Sequence, residues 1–226
     1  MCHVKSMECI SALMLLCQMK GIKFQFFPLT SESLIPRARN VCACAFLKSE
    51  CTHLLFVDND IIFNPHDVLQ MIDSKKDFIC GLYPKKVMYL DDIKIHAESA
   101  KTIQELMEKT AHYAANYEPS EYGDKYLKEI EYAATGFTLI TRNVFEEILE
   151  VCPILEYNND IEMYKKYSFD GFLYNFFPVG IVNGRYVSED FGISHIWKKM
   201  GNSIYADLRI KLVHIGQMHY YGNPLT

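Results

Sequence analysis

The stretch His53-Leu54-Leu55-Phe56-Val57-Asp58-Asn59-Asp60-Ile61-Ile62-Phe63-Asn64-Pro65 limits what this chain can fold into more than any other. An apolar run of strand-forming residues leads straight into two carboxylates and then returns to apolar residues. A strand buried on both faces reads as such a continuous run, whereas a half-exposed strand alternates. A charged pair at its end is costly unless it faces a cleft, a cation or water. In extended chain, residues i and i+2 point to one side, so Asp58 and Asp60 can aim at a shared point just beyond the strand. That point is expected to hold a divalent metal, and oxygen ligands suit Mg²⁺ or Mn²⁺. A lone Asp-x-Asp is more often a turn or a solvated strand end. Here the buried strand before it, the Ile-Ile-Phe after it and the helix-starting pair Asn64-Pro65 lift it above chance.

A chain of 226 residues fits one domain, 1–226, with a proper core. Half of its residues are hydrophobic, which is globular composition. The formal net charge of -5 argues against general nucleic-acid binding. A mildly acidic protein that handles phosphates needs a metal or a local cluster of Lys and Arg. The eight cysteines form no Cys-x-x-Cys pair, and Cys42-Ala43-Cys44 is too tight for a zinc knuckle. They read as reduced core thiols in a cytosol-like compartment, so a cytoplasmic location is expected. No apolar run approaches the roughly 20 residues needed to span a bilayer, and no signal peptide is evident.

In chain order, apolar spacing predicts a helix over 3–20, a strand at Lys23–Phe27 and a helix over about 35–48 capped by Ser33. Strand Leu54–Val57, a helix at about 65–74 and strand Asp77–Leu82 follow. Residues 88–132 read as a peripheral insertion, with a helix around 101–115 and a loop around Glu118–Asp124. Ala134–Ile140 reads as a strand, and Asn143 with Glu146 as the capping box of the next helix. Residues 152–187 are irregular and aromatic, either a platform over a site or a packed lid. Ser188-Glu189-Asp190 opens a helix that stops at Gly201, and short strands are expected at 202–206 and 211–214. Starting on a helix is unusual for an α/β domain, so a first strand is expected to be missing. Alternating strands and helices predict a mostly parallel sheet covered by helices, with ligands at the carboxyl ends of its strands.

Four further candidates stand apart from the aspartate pair. Arg37, Arg39 and Asn40 lie near a helix start, which with guanidinium groups can hold phosphate or ribose oxygens. One functional Arg is expected, with Arg37 favoured, and the bland alternative is a surface pair with Glu32 or Glu50. Acidic residues in a first helical turn, such as Glu189 and Asp190, often do no more than complement the helix dipole. A lone Trp on a helix, such as Trp197, is more often core than sugar contact, and a His between apolar residues, such as His214, is more often a core histidine.

Several motifs in order raise a specific resemblance. Ser33-Leu34-Ile35-Pro36-Arg37-Ala38-Arg39-Asn40, Thr52 through Asp60, and Cys80-Gly81-Leu82-Tyr83-Pro84-Lys85-Lys86 resemble the nucleotide-sugar half of GT-A-type glycosyltransferases. Their order and spacing are similar to a small group found in large DNA viruses (chlorella-virus-like), phages and bacteria. Ala134-Thr135-Gly136-Phe137, Ser188-Glu189-Asp190-Phe191 and Val213-His214-Ile215-Gly216 resemble later motifs of that family, so the likeness spans nearly the whole chain apart from 88–132 and 152–187.

The resemblance implies a GT-A, Rossmann-like sheet and a metal-dependent hexosyl- or deoxyhexosyltransferase. It implies Mn²⁺ or Mg²⁺ on Asp58, Asp60 and His214, bound to the diphosphate of a nucleotide sugar, with UDP as the expected nucleotide. Arg37, Asn40, Asn59, Gly136 and Thr30 would bind the nucleotide sugar, Asp190 would act on the acceptor hydroxyl, and Tyr83, Lys85 and Trp197 would touch the acceptor. The acceptor would be a glycan or glycoprotein. The family's first strand carries the base-binding loop, so base identity stays open. Two other readings remain: a sugar-1-phosphate nucleotidyltransferase, and a non-catalytic carbohydrate-binding module on the same fold.

Overall fold

The structure is a computed structural model that describes residues 3–30, 32–113, 125–152 and 156–225. The chain runs through α1 (Val4–Met19), α2 (Ile35–Leu47), β1 (His53–Val57), β2 (Ile61–Ile62), α3 (Pro65–Asp73), β3 (Phe78–Cys80), α4 (Leu90–His96), α5 (Ile103–Lys109), β4 (Leu127–Ile130), β5 (Phe137–Thr141) and α6 (Arg142–Val151). It continues through β6 (Glu156–Asn158), a 3-10 turn at Glu162–Tyr167, β7 (Phe172–Tyr174), β8 (Gly180–Val182), β9 (Arg185–Val187), α7 (Glu189–Lys199), β10 (Ile204–Asp207), β11 (Val213–Ile215) and β12 (His219–Tyr221).

Among the described residues, the central sheet has the order β1-β5-β3-β10-β4. The class is α/β, but the expected mostly parallel sheet is not what forms. Only β3 and β10 pair in parallel, while β1–β5, β5–β3 and β10–β4 are antiparallel. The reason is the placement of β5, which slots in reverse between β1 and β3, and of β4, which closes the far edge. β4 lies within the stretch expected to be peripheral, so 88–132 is not wholly an insertion. Because β5 reverses twice, β1, β3 and β10 still run the same way, and their carboxyl ends share one edge of the sheet.

β1 lies at the edge of the sheet, so of its residues only Phe56 is fully buried. Its continuous apolar run has a different cause from complete burial: both of its faces are packed. Leu54 and Phe56 join one core with α2, α6 and α7, through Val41, Phe46, Phe145, Ile148 and Trp197, and with Phe177 from the loop after β7. Leu55 and Val57 join the other with α1 and α3, through Leu13, Cys17, Val68 and Met71. The same alternation divides β3, with Phe78 and Cys80 on one side and Ile79 on the other.

Some local expectations shift. Lys23–Phe27 is coil, since none of the described strands pairs with it and strand propensity without a ladder is weak. Asn64 caps α3 as expected, accepting from the His66 N–H at 3.0 Å. Leu34 rather than Ser33 sits at the cap of α2, and its N–H donates to Glu32 Oε1 at 2.8 Å. α6 starts early, with Thr141 at its cap, because Arg142 is tied to the carbonyls of Phe46, Leu47, Ser49 and Cys51. Asn143 instead donates to Glu147 at 2.6 Å.

The helix expected around 101–115 is the shorter α5, and the loop expected at 118–124 lies outside the described residues. Within the aromatic stretch, residues 156–187 fold as a β6–β7 hairpin that encloses the 3-10 turn and a second hairpin, β8–β9, and Phe176 and Phe177 are fully buried, which makes it a packed cover. The described cysteines are all free, and burial raises the Cys80 thiol to about 12, as suits a packing role. Among the described residues, no helix is long and apolar enough to cross a membrane.

Candidate metal and phosphate site

The aspartates sit on a turn that opens directly from β1. The Asp58 N–H donates to the Gly136 carbonyl at 2.8 Å, and the Ile61 N–H donates back to the Asp58 carbonyl at 3.2 Å. β2 then pairs with β11, setting His214 opposite Ile61, and the Ile215 N–H donates to the Asp60 carbonyl at 2.8 Å. This small sheet brings the His214 imidazole beside the Asp60 carboxylate, with Nε2 3.6 Å from Oδ1. The other ring nitrogen, Nδ1, lies 2.9 Å from the Pro84 carbonyl. A carbonyl only accepts, so Nδ1 carries the hydrogen, and in the neutral ring Nε2 turns a lone pair toward Asp60. A backbone carbonyl that fixes the tautomer in this way is how metal-binding histidines are commonly oriented. Two acceptors then face each other, an arrangement satisfied by a proton or a cation between them.

Two basic side chains reach the same carboxylates. Lys86 Nζ lies 2.5 Å from Asp60 Oδ2, and Arg39 donates to Asp58 Oδ1 at 2.9 Å. The Arg39 guanidinium also lies over the Phe56 ring, 5.2 Å from its centroid, and 4.0 Å from Glu189. Burial works to raise the Asp60 carboxyl, but His214 in its protonated form and the hydrogen bond from Lys86 outweigh it and hold it at about 2. Asp190, in the first turn of α7, accepts on Oδ1 from the Ser188 hydroxyl at 2.5 Å and the Phe191 N–H at 2.9 Å. Tyr83 fills the middle of the cluster, edge-on to His214 at 5.1 Å between centroids. Burial raises its hydroxyl above 10, and the charges of Asp58 and Asp190 raise it further, so it stays protonated at neutral pH. Burial, then Asp190 and Asp58, likewise raise Glu189 against the pull of Arg39.

The structure therefore brings together Asp58, Asp60, His214, Asp190, Tyr83 and Gly136, at the carboxyl end of β1 and β3. Among the described residues, no three His, Cys, Asp or Glu side chains form a ready-made metal cluster. Asp60 meets His214, while Asp58 is paired with Arg39.

Other expected site residues go elsewhere. Arg37 is clamped on Glu32, with hydrogen bonds of 2.7 and 3.0 Å, and Glu32 also accepts from the Tyr164 hydroxyl at 2.9 Å. Positions 37 and 39 stand roughly 200° apart on a helix, so only one can face the aspartates, and it is Arg39. Asn40 is buried as a clasp, donating to Asn175 at 3.0 Å and accepting from the Phe177 N–H at 3.0 Å. Trp197 is 2% exposed in the core, with its indole N–H on the Ser203 carbonyl, so it cannot stack on an acceptor. Gly136 is needed for Tyr83 rather than for a sugar, since a Cβ there would lie 2.7 Å from the Tyr83 ring. Lys85 is exposed, and its neighbour Lys86 is the lysine that reaches the carboxylates. Asn59 is exposed at the turn, where its carbonyl accepts from the His3 N–H, and Thr30 is exposed in the coil before α2.

Sequence reasoning ranked Arg39 behind Arg37 and Glu189 behind Asp190, and gave Lys86 no role. Arg39 could have been separated from Arg37 by the nearby Glu32, which is well placed to claim one of them. For Lys86 and Glu189 the signal was adjacency to a chosen neighbour, which fixes no direction.

The Glu32–Arg37 clamp yields a pH expectation. The hydrogen bonds from Arg37, against the opposing effect of burial, lower Glu32 from 4.5 to about 2. A carboxyl depressed on folding stabilises the protein above its unfolded value and loses that effect as pH falls through the folded value. The contribution is therefore complete above pH 4.5 and gone near pH 2. In an acid titration followed by circular dichroism, Arg37→Gln is expected to unfold at higher pH than the wild type. Coincident curves would show that the clamp contributes nothing.

No family model matches the chain, and no curated protein matches it. Among solved structures it is similar to A197 from STIV, at 16% identity and a TM-score of 0.45, over 90% of this chain and 78% of that one. A likeness at that score carries no argument about fold or activity.

Proposed function

We propose that the chain is a metal-dependent glycosyltransferase moving a sugar from a nucleotide sugar, with UDP as the expected nucleotide, to a carbohydrate hydroxyl. The observation that carries this reading is the meeting of Asp60 and His214, with the His214 tautomer set by Pro84 so that Nε2 faces the carboxylate. The donor chemistry fits Mn²⁺ or Mg²⁺: carboxylate oxygens and one imidazole. The charges fit as well, since four carboxylates (Asp58, Asp60, Glu189, Asp190) gather around two cations, Arg39 and Lys86.

Asp58, Asp60 and His214 would hold the metal, which when bound neutralises diphosphate charge and stabilises the leaving group. Arg39 and Lys86 lie where phosphate oxygens would approach, and charge-assisted hydrogen bonds from such groups are strong. Asp190 would take the proton of the acceptor hydroxyl. Its two hydrogen bonds both fall on Oδ1, which leaves Oδ2 for that task. Tyr83, protonated, is a donor rather than a base. The co-directional β1, β3 and β10, with the cluster at their carboxyl ends, suit a GT-A domain in which β4 and β5 run in reverse. A glycan or glycoprotein acceptor and a cytoplasmic location belong to the same proposal.

The test is thermal unfolding with MnCl₂, UDP or both. Ligand at 100 times Kd adds about 2.7 kcal/mol, a rise of roughly 5–10 °C for a chain of this size. The rise is expected only with both ligands and is expected to vanish in Asp60→Ala. No Mn²⁺-dependent effect of UDP on the wild type, or an equal effect on Asp60→Ala, would overturn the reading.

A further inference from the structure

Asp60 already carries a cation. Lys86 Nζ sits on Asp60 Oδ2, while the opposite oxygen, Oδ1, faces His214. Lys86 comes from the loop after β3, which is pinned on both sides. The Pro84 carbonyl takes the His214 Nδ1 hydrogen, Pro84 pairs with Tyr113, and the Lys85 N–H donates to the His112 carbonyl at 2.7 Å. The Lys86 stem lies over Gly216, where a Cβ would come within 3.1 Å of Lys86 Cδ. The loop and the glycine thus form a slot that aims the ammonium at Asp60.

The two site cations are held differently. The Arg39 side chain is 12% exposed, stacked on Phe56 and flanked by Asp58 and Glu189, so it is fixed. The Lys86 side chain is 35% exposed, on a flexible stem. An ammonium on Oδ2 and a divalent ion on Oδ1 of one carboxylate lie close together, and like charges at that separation repel. A divalent ion on Asp60 therefore weakens the hold of Lys86 on the same carboxylate and favours any other anion within reach of its stem.

We propose that Lys86 is an exchangeable counter-cation: it holds Asp60 while the site is empty and moves to a phosphate oxygen of a nucleoside diphosphate when Asp60 turns to a divalent cation. The proposal rests on the glycosyltransferase reading and adds that cation and diphosphate load as a coupled pair. Lys86 penalises the cation alone and rewards the diphosphate, and binding free energies coupled in this way are reciprocal.

The experiment is Mn²⁺ binding to the full chain, read from the electron paramagnetic resonance signal of the free ion, with and without UDP. It compares the wild type with Lys86→Met, and with Lys86→Gln as a second uncharged variant. Both variants are expected to bind Mn²⁺ alone about five- to tenfold more tightly than the wild type, and to bind UDP with saturating Mn²⁺ about five- to tenfold more weakly. A role limited to holding the loop would weaken both. Mn²⁺ affinity unchanged or reduced in both variants, while the wild type binds Mn²⁺ in a UDP-dependent way, would overturn this proposal alone. Failure of the wild type to bind Mn²⁺ with or without UDP would overturn it together with the glycosyltransferase reading.

Discussion

Asp190→Asn is expected to lower Mn²⁺-dependent release of UDP from a UDP-sugar by about 10²–10⁴-fold, the usual contribution of a positioned general base, with UDP and Mn²⁺ binding unchanged. The replacement keeps the shape and an Oδ1 that can still accept from Ser188 and Phe191, so the start of α7 should hold. What is lost is the basic oxygen. A panel of UDP-sugars with water as acceptor suffices for the assay, because the same oxygen would take the proton of water. Full activity in Asp190→Asn would remove this carboxylate from the chemistry and return it to the role of a helix-start residue. Loss of UDP binding along with activity would place it in donor binding instead.

Trp197→Ala is expected to cost about 3–5 kcal/mol of stability, as for other fully buried aromatics, a drop of several degrees to about 20 °C for a chain this long. Trp197 packs in the core beside α2 and α6, and its indole N–H is satisfied by Ser203 within the fold. Trp197→Phe should recover much of the loss. Urea unfolding of the three proteins measures the cost. Wild-type stability in Trp197→Ala combined with poorer use of a sugar acceptor would reverse the assignment and put this ring at the sugar.

The sequence was most legible where chemistry and periodicity coincide. The strand, the aspartate turn and the capped helix from His53 to Asp73 lie where hydrophobic pattern and capping residues place them. α1, α2 and α7 follow from apolar spacing, with Gly21 and Gly201 past the ends of α1 and α7. Strand direction was not legible. Phe137–Thr141 has the same apolar pattern whether it runs with β1 or against it, and only the register, from His53 opposite Thr141 to Val57 opposite Phe137, settles that it runs against. Helix spacing alone does not tell Arg37 from Arg39; the nearby Glu32 claims Arg37, and Asp58, from the next strand end, takes Arg39. Asn40 and Trp197 illustrate a third limit: polar or aromatic atoms on a helix suit a ligand and a buried clasp equally well until their partners, Asn175, Phe177 and Ser203, are in place.

Crystals soaked with MnCl₂ and UDP, measured at the manganese absorption edge, address the proposed metal directly. The expected result is one strong anomalous peak at bonding distance, about 2.1 Å, from the Asp58 and Asp60 carboxylates and beside His214 Nε2, with Lys86 drawn off Asp60 onto phosphate. No peak at that position in crystals that hold UDP, or a peak elsewhere with Lys86 still on Asp60, would contradict it.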